Sequence, residues 1–99
     1  LPEWPSFDVL LATLADESNT PEERLVSAER STEIATIRTI FAFMAVRLWK
    51  QRQLTAAEVL HKESSTLSHL LRRSTISRDH PLIQRVLARL SIRDRSHGG

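Results

Sequence analysis

No cysteine occurs in the 99 residues, so no disulfide can staple the fold and no thiolate zinc site can form. That absence fits a reducing compartment. Glycine is confined to Gly98 and Gly99, which argues against a β-meander dependent on tight turns. No apolar run approaches the roughly 18 residues needed to span a bilayer, and no signal-peptide pattern opens the chain. The expectation is a protein without a membrane segment, in the cytoplasm. A phosphate-binding Gly-Lys-Ser/Thr loop and a nucleophile elbow are both missing, which speaks against an ATPase and a hydrolase. The four histidines, His61, His69, His80 and His97, form no i, i+4 pair and have no clustered carboxylates, so no metal is expected. These gaps together point away from an enzyme and from any cofactor.

What is present is helical. Leu, Ala, Arg and Glu are abundant, and the length suits one small domain. The reading is all-α: a single domain of five to six helices, residues 1–99, with a long central helix and a helix-turn-helix. The first residue is Leu1 rather than Met, as expected of a segment of a longer protein. Charge is unevenly spread around a net +2. Residues 1–46 carry three arginines against eight acids, a net −5, and residues 47–99 carry eleven cations against four acids, a net +7. A basic half suits a phosphate-facing surface.

Pro2 and Pro5 make residues 1–5 an extended lead-in. Ser6 is placed to cap a helix to about Asp16, with Phe7, Leu10, Leu11 and Leu14 as its apolar stripe and Asn19 ending it. Thr20-Pro21 followed by Glu23 reads as a capping box opening a short helix to Val26. Ser27 to Ser31 form a polar connector. From Thr32 a helix of about twenty residues should bury Ile34, Ile37, Phe41, Met44, Ala45 and Leu48, with Arg38, Arg47 and Lys50 off that stripe. Thr55 and Glu58 read as a second capping box, for a helix ending at Leu60. After a polar turn, a helix starts near Ser65 with Leu67, Leu70 and Leu71 inward. Asp79 is placed to cap a last helix, with Pro81 in its first turn and Leu82, Val86, Leu87 and Leu90 inside. Residues 92–99 read as a flexible tail. Trp4 and Trp49 read as packing anchors at the core edge.

Two short helices joined by a three- or four-residue turn and set against a long one make a helix-turn-helix. Its second helix enters the major groove end-on, so its first residues must be small or hydrogen-bonding. Ser64, Ser65, Thr66, Ser68 and His69 meet that need, and Arg72 and Arg73 follow near phosphates. The glycine common in such turns is missing, and His61 or Lys62 stands there.

From Phe7 to about Leu90 the chain resembles the C-terminal DNA-binding domain of the bacterial replication initiator DnaA, and more closely the related domain of REP-associated tyrosine transposases. The likeness rests on Pro21-Glu22-Glu23-Arg24-Leu25, Glu33-Ile34 with Arg38, Ile40 to Ala45, Leu54 to Val59, and Ser65 to Arg73, in that order and spacing. It implies major-groove contact by Glu63, Ser64, Ser65, Thr66 and His69, and minor-groove contact by Arg30; Lys62 flanks them. Glu63-Ser64 stands where the initiators carry Asp-His, which implies a target other than a replication-origin box. The loop before the long helix, Ala28-Glu29-Arg30-Ser31-Thr32, has fewer cations than its family counterpart, which implies altered minor-groove contact.

The reading is thus a sequence-specific double-stranded DNA-binding domain, the accessory targeting domain of a bacterial, nucleoid-associated transposase-like protein. The chain has no tyrosine and no His-hydrophobe-His motif, so transposase chemistry would lie in an upstream catalytic domain. Two alternatives are a protein-interaction module that kept the fold but lost DNA binding, and the DNA-binding terminus of a replication initiator.

Overall fold

The structure, a computed structural model, describes residues 1–98, with side chains through Ile92. Six α-helices follow in order: α1 Phe7–Glu17, α2 Glu22–Leu25, α3 Thr32–Ala42, α4 Gln53–Val59, α5 Ser64–Arg73 and α6 Pro81–Gly98. No strand occurs among the described residues. The all-α reading, with a helix-turn-helix following a long helix, is therefore what the chain forms.

α3 is the hub. It packs against α1, α2, α4 and α5, and α1 also packs against α6. Ile34, Ile40, Phe41 and Met44 are fully buried, and Leu10, Leu14, Leu25, Leu60, Leu67, Ile83 and Val86 close around them. Burying each such side chain contributes about 1.5–3 kcal/mol. α3 continues without interruption into a π-helical turn, Phe43–Leu48, in which the Trp49 N–H reaches Met44 O at 3.0 Å. The wider turn leaves Leu48 half-buried and delivers Trp49 to the N-terminal lead-in. There its ring sits 5.5 Å from Trp4, which meets Phe7 edge-on at 4.9 Å. The Trp49 indole N–H donates to Pro2 O at 2.9 Å, so the two tryptophans tie down residues 1–5 at the edge of the core.

Helix ends explain how the chain turns without glycine. Ser6 caps α1 as expected, its Oγ accepting from Val9 N, and Asn19 leaves it in the left-handed region at φ 54°. The backbone pair Thr20 N to Ala15 O and Asn19 N to Asp16 O closes a Schellman motif. His61 repeats this after α4, at φ 57°, with Lys62 N on Ala57 O and His61 N on Glu58 O. Lys50 is also left-handed after the π turn, at φ 58°, where Gln51 N reaches back instead to Ala45 O at 2.8 Å. The position where a helix-turn-helix commonly carries glycine is thus filled by a strained histidine. His61→Gly is expected to raise stability by about 1 kcal/mol, since a left-handed conformation costs a residue with a Cβ roughly that much. A urea-unfolding midpoint that stays put or falls would refute this.

Several local expectations need correction. The Thr20 capping box does not form: the Thr20 hydroxyl, buried, donates to Ser18 O, and Pro21 occupies the N-cap of α2. The Thr55 box fails as well, because α4 starts two residues earlier, at Gln53, leaving Thr55 inside the helix. His80 rather than Asp79 caps α6, its Nδ1 accepting from Leu82 N at 3.1 Å. Helical backbone continues to Gly98, through the residues read as a flexible tail, where neither proline nor glycine interrupts it before Gly98. Leu70 is half-buried beside the buried Leu67 and Leu71. Arg38 was placed off the apolar stripe yet is only 6% exposed.

Candidate nucleic-acid interface

α4, the turn Leu60 to Glu63 and α5 form the helix-turn-helix. Leu67 and Leu71, one helical turn apart, fix α5 to the core, so opposite positions must face solvent. Ser65, Thr66, His69, Arg72 and Arg73 are all exposed and line that outward face. The His69 Nε2 lies 3.3 Å from Arg73 Nη1. Glu63 is exposed at the N-cap, where its carboxylate suits the positive end of the helix.

Two of the hydroxyls expected on this face lie on its flank instead. The Gln53 side-chain amide donates to Ser64 O at 2.9 Å, Ser64 Oγ at 3.1 Å and Ser68 Oγ at 3.2 Å. Residues 64 and 68 are one turn apart on the side toward α4, so this amide links the two helices and sets their relative placement. Lys62 is half-buried, and its Nζ donates to Ser27 O at 2.7 Å. That bond ties the turn of the helix-turn-helix to the loop before α3.

Sequence reading missed what organises that loop. The Arg38 guanidinium donates from Nε to Leu25 O at 2.7 Å, from Nη1 to Glu29 O at 2.6 Å, and from Nη2 to Ser27 O at 2.6 Å and Arg24 O at 3.2 Å. It satisfies carbonyls left open where α2 ends. Burial lowers its pKa, while Glu29 opposes the shift. One signal was available: Arg38 is the sole charged residue between Ile34 and Val46, and such a charge must find polar partners when its helix is buried.

Glu29, the acid that seemed to spoil a basic loop, is already engaged. It receives Arg24 Nε at 3.0 Å and Nη2 at 2.6 Å, and the Ser31 hydroxyl at 2.9 Å. The Arg24 and Ser31 hydrogen bonds hold its carboxyl down at about 2. A depressed folded-state value means this contribution is complete above the unfolded value near 4.5 and fades as pH falls through the folded one. Glu29→Gln should therefore flatten the loss of stability between about pH 4.5 and pH 2, as read from urea midpoints across that range. An unchanged acid limb would show that the clamp contributes nothing.

The loop so held sets Arg30 beside α5. An open groove of about 980 Å³ runs between α3, α5 and residues 74–80, with Arg30, His69 and Arg73 along it. A second cavity, about 330 Å³, has Arg30, Arg38, Lys62 and Thr66 in its walls. Between α6 and α1 the charges pair off. Arg89 binds Asp16 and Glu17, and Arg85 lies 3.6 Å from Glu17, joining α6 to α1. Part of the basic half is thereby neutralised by the acidic half, whereas Arg30, Arg72 and Arg73 have no ion pair among the described residues.

Among the described residues no group of three histidines and acids could hold a metal ion, and no helix is long and apolar enough to cross a membrane. No family model, curated protein or solved structure matches the chain.

Proposed function

We propose that this chain binds double-stranded DNA, with α5 in the major groove and Arg30 reaching the adjacent backbone or minor groove. The observation carrying this reading is the exposed row Ser65, Thr66, His69, Arg72 and Arg73 on the second helix of a helix-turn-helix, with unpaired Arg30 on the same groove. Small hydroxyls lead and arginines follow, as end-on entry requires. Ser65 is the base-reading candidate, Thr66 stands between the base edges and the adjacent backbone, and Glu63 suits the amino group of a cytosine. Ser64 and Ser68 serve mainly to hold that helix at its angle, and Lys62 joins its turn to the loop with donors to spare. The resemblance to DnaA-like domains supports the finer reading: the targeting module of a bacterial transposase-like protein, tethered to an upstream catalytic domain.

Anisotropy titrations against specific and scrambled duplexes test this. Ser65→Ala should relax sequence preference by about 1–3 kcal/mol if the side chain reads a base. Arg72→Ala or Arg73→Ala should weaken binding to every duplex alike and lower the salt slope by about one. Loss of the same size on scrambled DNA for Ser65→Ala would remove it from base reading.

Exposed Glu22, Glu23 and Glu33 beside the same loop favour a second reading, a protein-interaction module. A salt-insensitive complex with a protein, and no shift of any duplex, would select it.

A further inference from the structure

We propose that the cavity between the loop before α3 and the helix-turn-helix turn seats one phosphate group, gripped by Arg30, Lys62 and the Thr66 hydroxyl above the Arg38 guanidinium. It rests on the DNA reading only in taking a backbone phosphodiester as the source of that group.

Three cations from three separate segments meet at this one cavity, and no carboxylate lines it. Glu29, the acid closest to it in sequence, is held by Arg24 and Ser31. Gathering like charges without an acid is unfavourable, and a dianion or phosphodiester would offset it. The Lys62 ammonium bears the mark of that crowding: burial first, then Arg38 and Arg30, push its pKa below the ordinary lysine range.

Donors are left over for a ligand. Lys62 gives one N–H to Ser27 O out of the three an ammonium carries. Arg30 has no hydrogen-bond partner or ion pair among the described residues. Thr66 brings a hydroxyl from the first turn of α5. A purely architectural role for Lys62 and Arg38 explains their bonds to the loop carbonyls, but not why Arg30 and Thr66 share the cavity. The seat lies between the loop before α3 and the helix aimed at the major groove, where the backbone flanking that groove would pass. A phosphate bound there would fix the register of both contacts.

The test uses the whole chain and two probes. Inorganic phosphate, titrated at constant ionic strength, should give saturating amide shifts at Ala28, Lys62 and Thr66. Arg30→Gln and Lys62→Met should each weaken that binding by about tenfold, the scale of one charge-assisted contact, while Arg78→Gln leaves it unchanged. Arg30 is exposed, so its variant decides the matter even if Lys62→Met fails to fold. Non-saturating shifts, or saturation untouched by Arg30→Gln, overturn the seat. Duplex titrations separate the two readings. Phosphate saturation with no duplex binding at any salt keeps the seat, as one for a free oxyanion, and removes the DNA reading. Duplex binding with no phosphate saturation does the reverse.

Discussion

Arg38→Leu is expected to lose about 3–5 kcal/mol of stability, the scale of removing one partner from a buried charged network. The guanidinium answers four carbonyls, of Arg24, Leu25, Ser27 and Glu29. A leucine fills much of the space but leaves the Leu25 and Glu29 carbonyls without donors, while Ser27 O keeps Lys62 and Arg24 O keeps the Ser27 hydroxyl. Partial opening of the loop to water would bring the loss toward the lower end. Arg38→Lys separates charge from geometry. It keeps the positive charge, yet one ammonium with three donors cannot serve four carbonyls on a curved loop, so it should recover less than half of the loss. Urea unfolding followed by far-UV circular dichroism measures both variants. A leucine variant within about 1 kcal/mol of the parent, the net worth of a single hydrogen bond, would show that the loop holds its shape without Arg38. The same variant should also weaken duplex binding, because the backbone that carries Arg30 starts from the carbonyl of Glu29.

Duplex affinity should fall about a hundredfold between 50 and 200 mM salt, on the proposed interface and the rule of ~0.9 counterions released per neutralised phosphate. That expectation counts four cations, Arg30, Lys62, Arg72 and Arg73, which gives a log–log slope of about −3.6. Arg85 and Arg89 are left out because they bind α1 acids; including every cation of the basic half would demand a far steeper slope. The measured slope therefore reports which surface meets the DNA. A slope near zero would remove DNA binding, and one much steeper than −4 would mean that the contact face extends well beyond α5 and Arg30. Anisotropy at four or more salt concentrations gives the number directly.

Much of the fold was legible from periodicity. Ile34, Ile37, Phe41 and Met44 recur at helical spacing and do form the buried face of α3, and Leu67 and Leu71 likewise fix which side of α5 is free. Once that side is known, exposure of Ser65, Thr66 and His69 follows from geometry alone. Capping was less legible. Thr20 and Thr55 satisfy the pattern of a capping box, but a cap bond is one weak interaction among many, and where a helix starts is settled by how its whole face packs. Asn19, Lys50 and His61 show the converse. Turns that glycine commonly occupies can be made by other residues when returning backbone hydrogen bonds and the packing on either side offset the strain.

The sequence alone determined the helical class, the order of the elements and the inward stripes, because these depend on residues three and four apart. Only the tertiary structure decided the helix-turn-helix turn carried by a left-handed His61, the grip of Gln53 on Ser64 and Ser68, and the convergence of Arg30, Arg38 and Lys62. The last two join residues 8 to 35 positions apart, and no local pattern encodes them. Arg38 is the clearest case. Its charge argued for solvent, and its burial became intelligible only when the carbonyls closing α2 were seen to surround it.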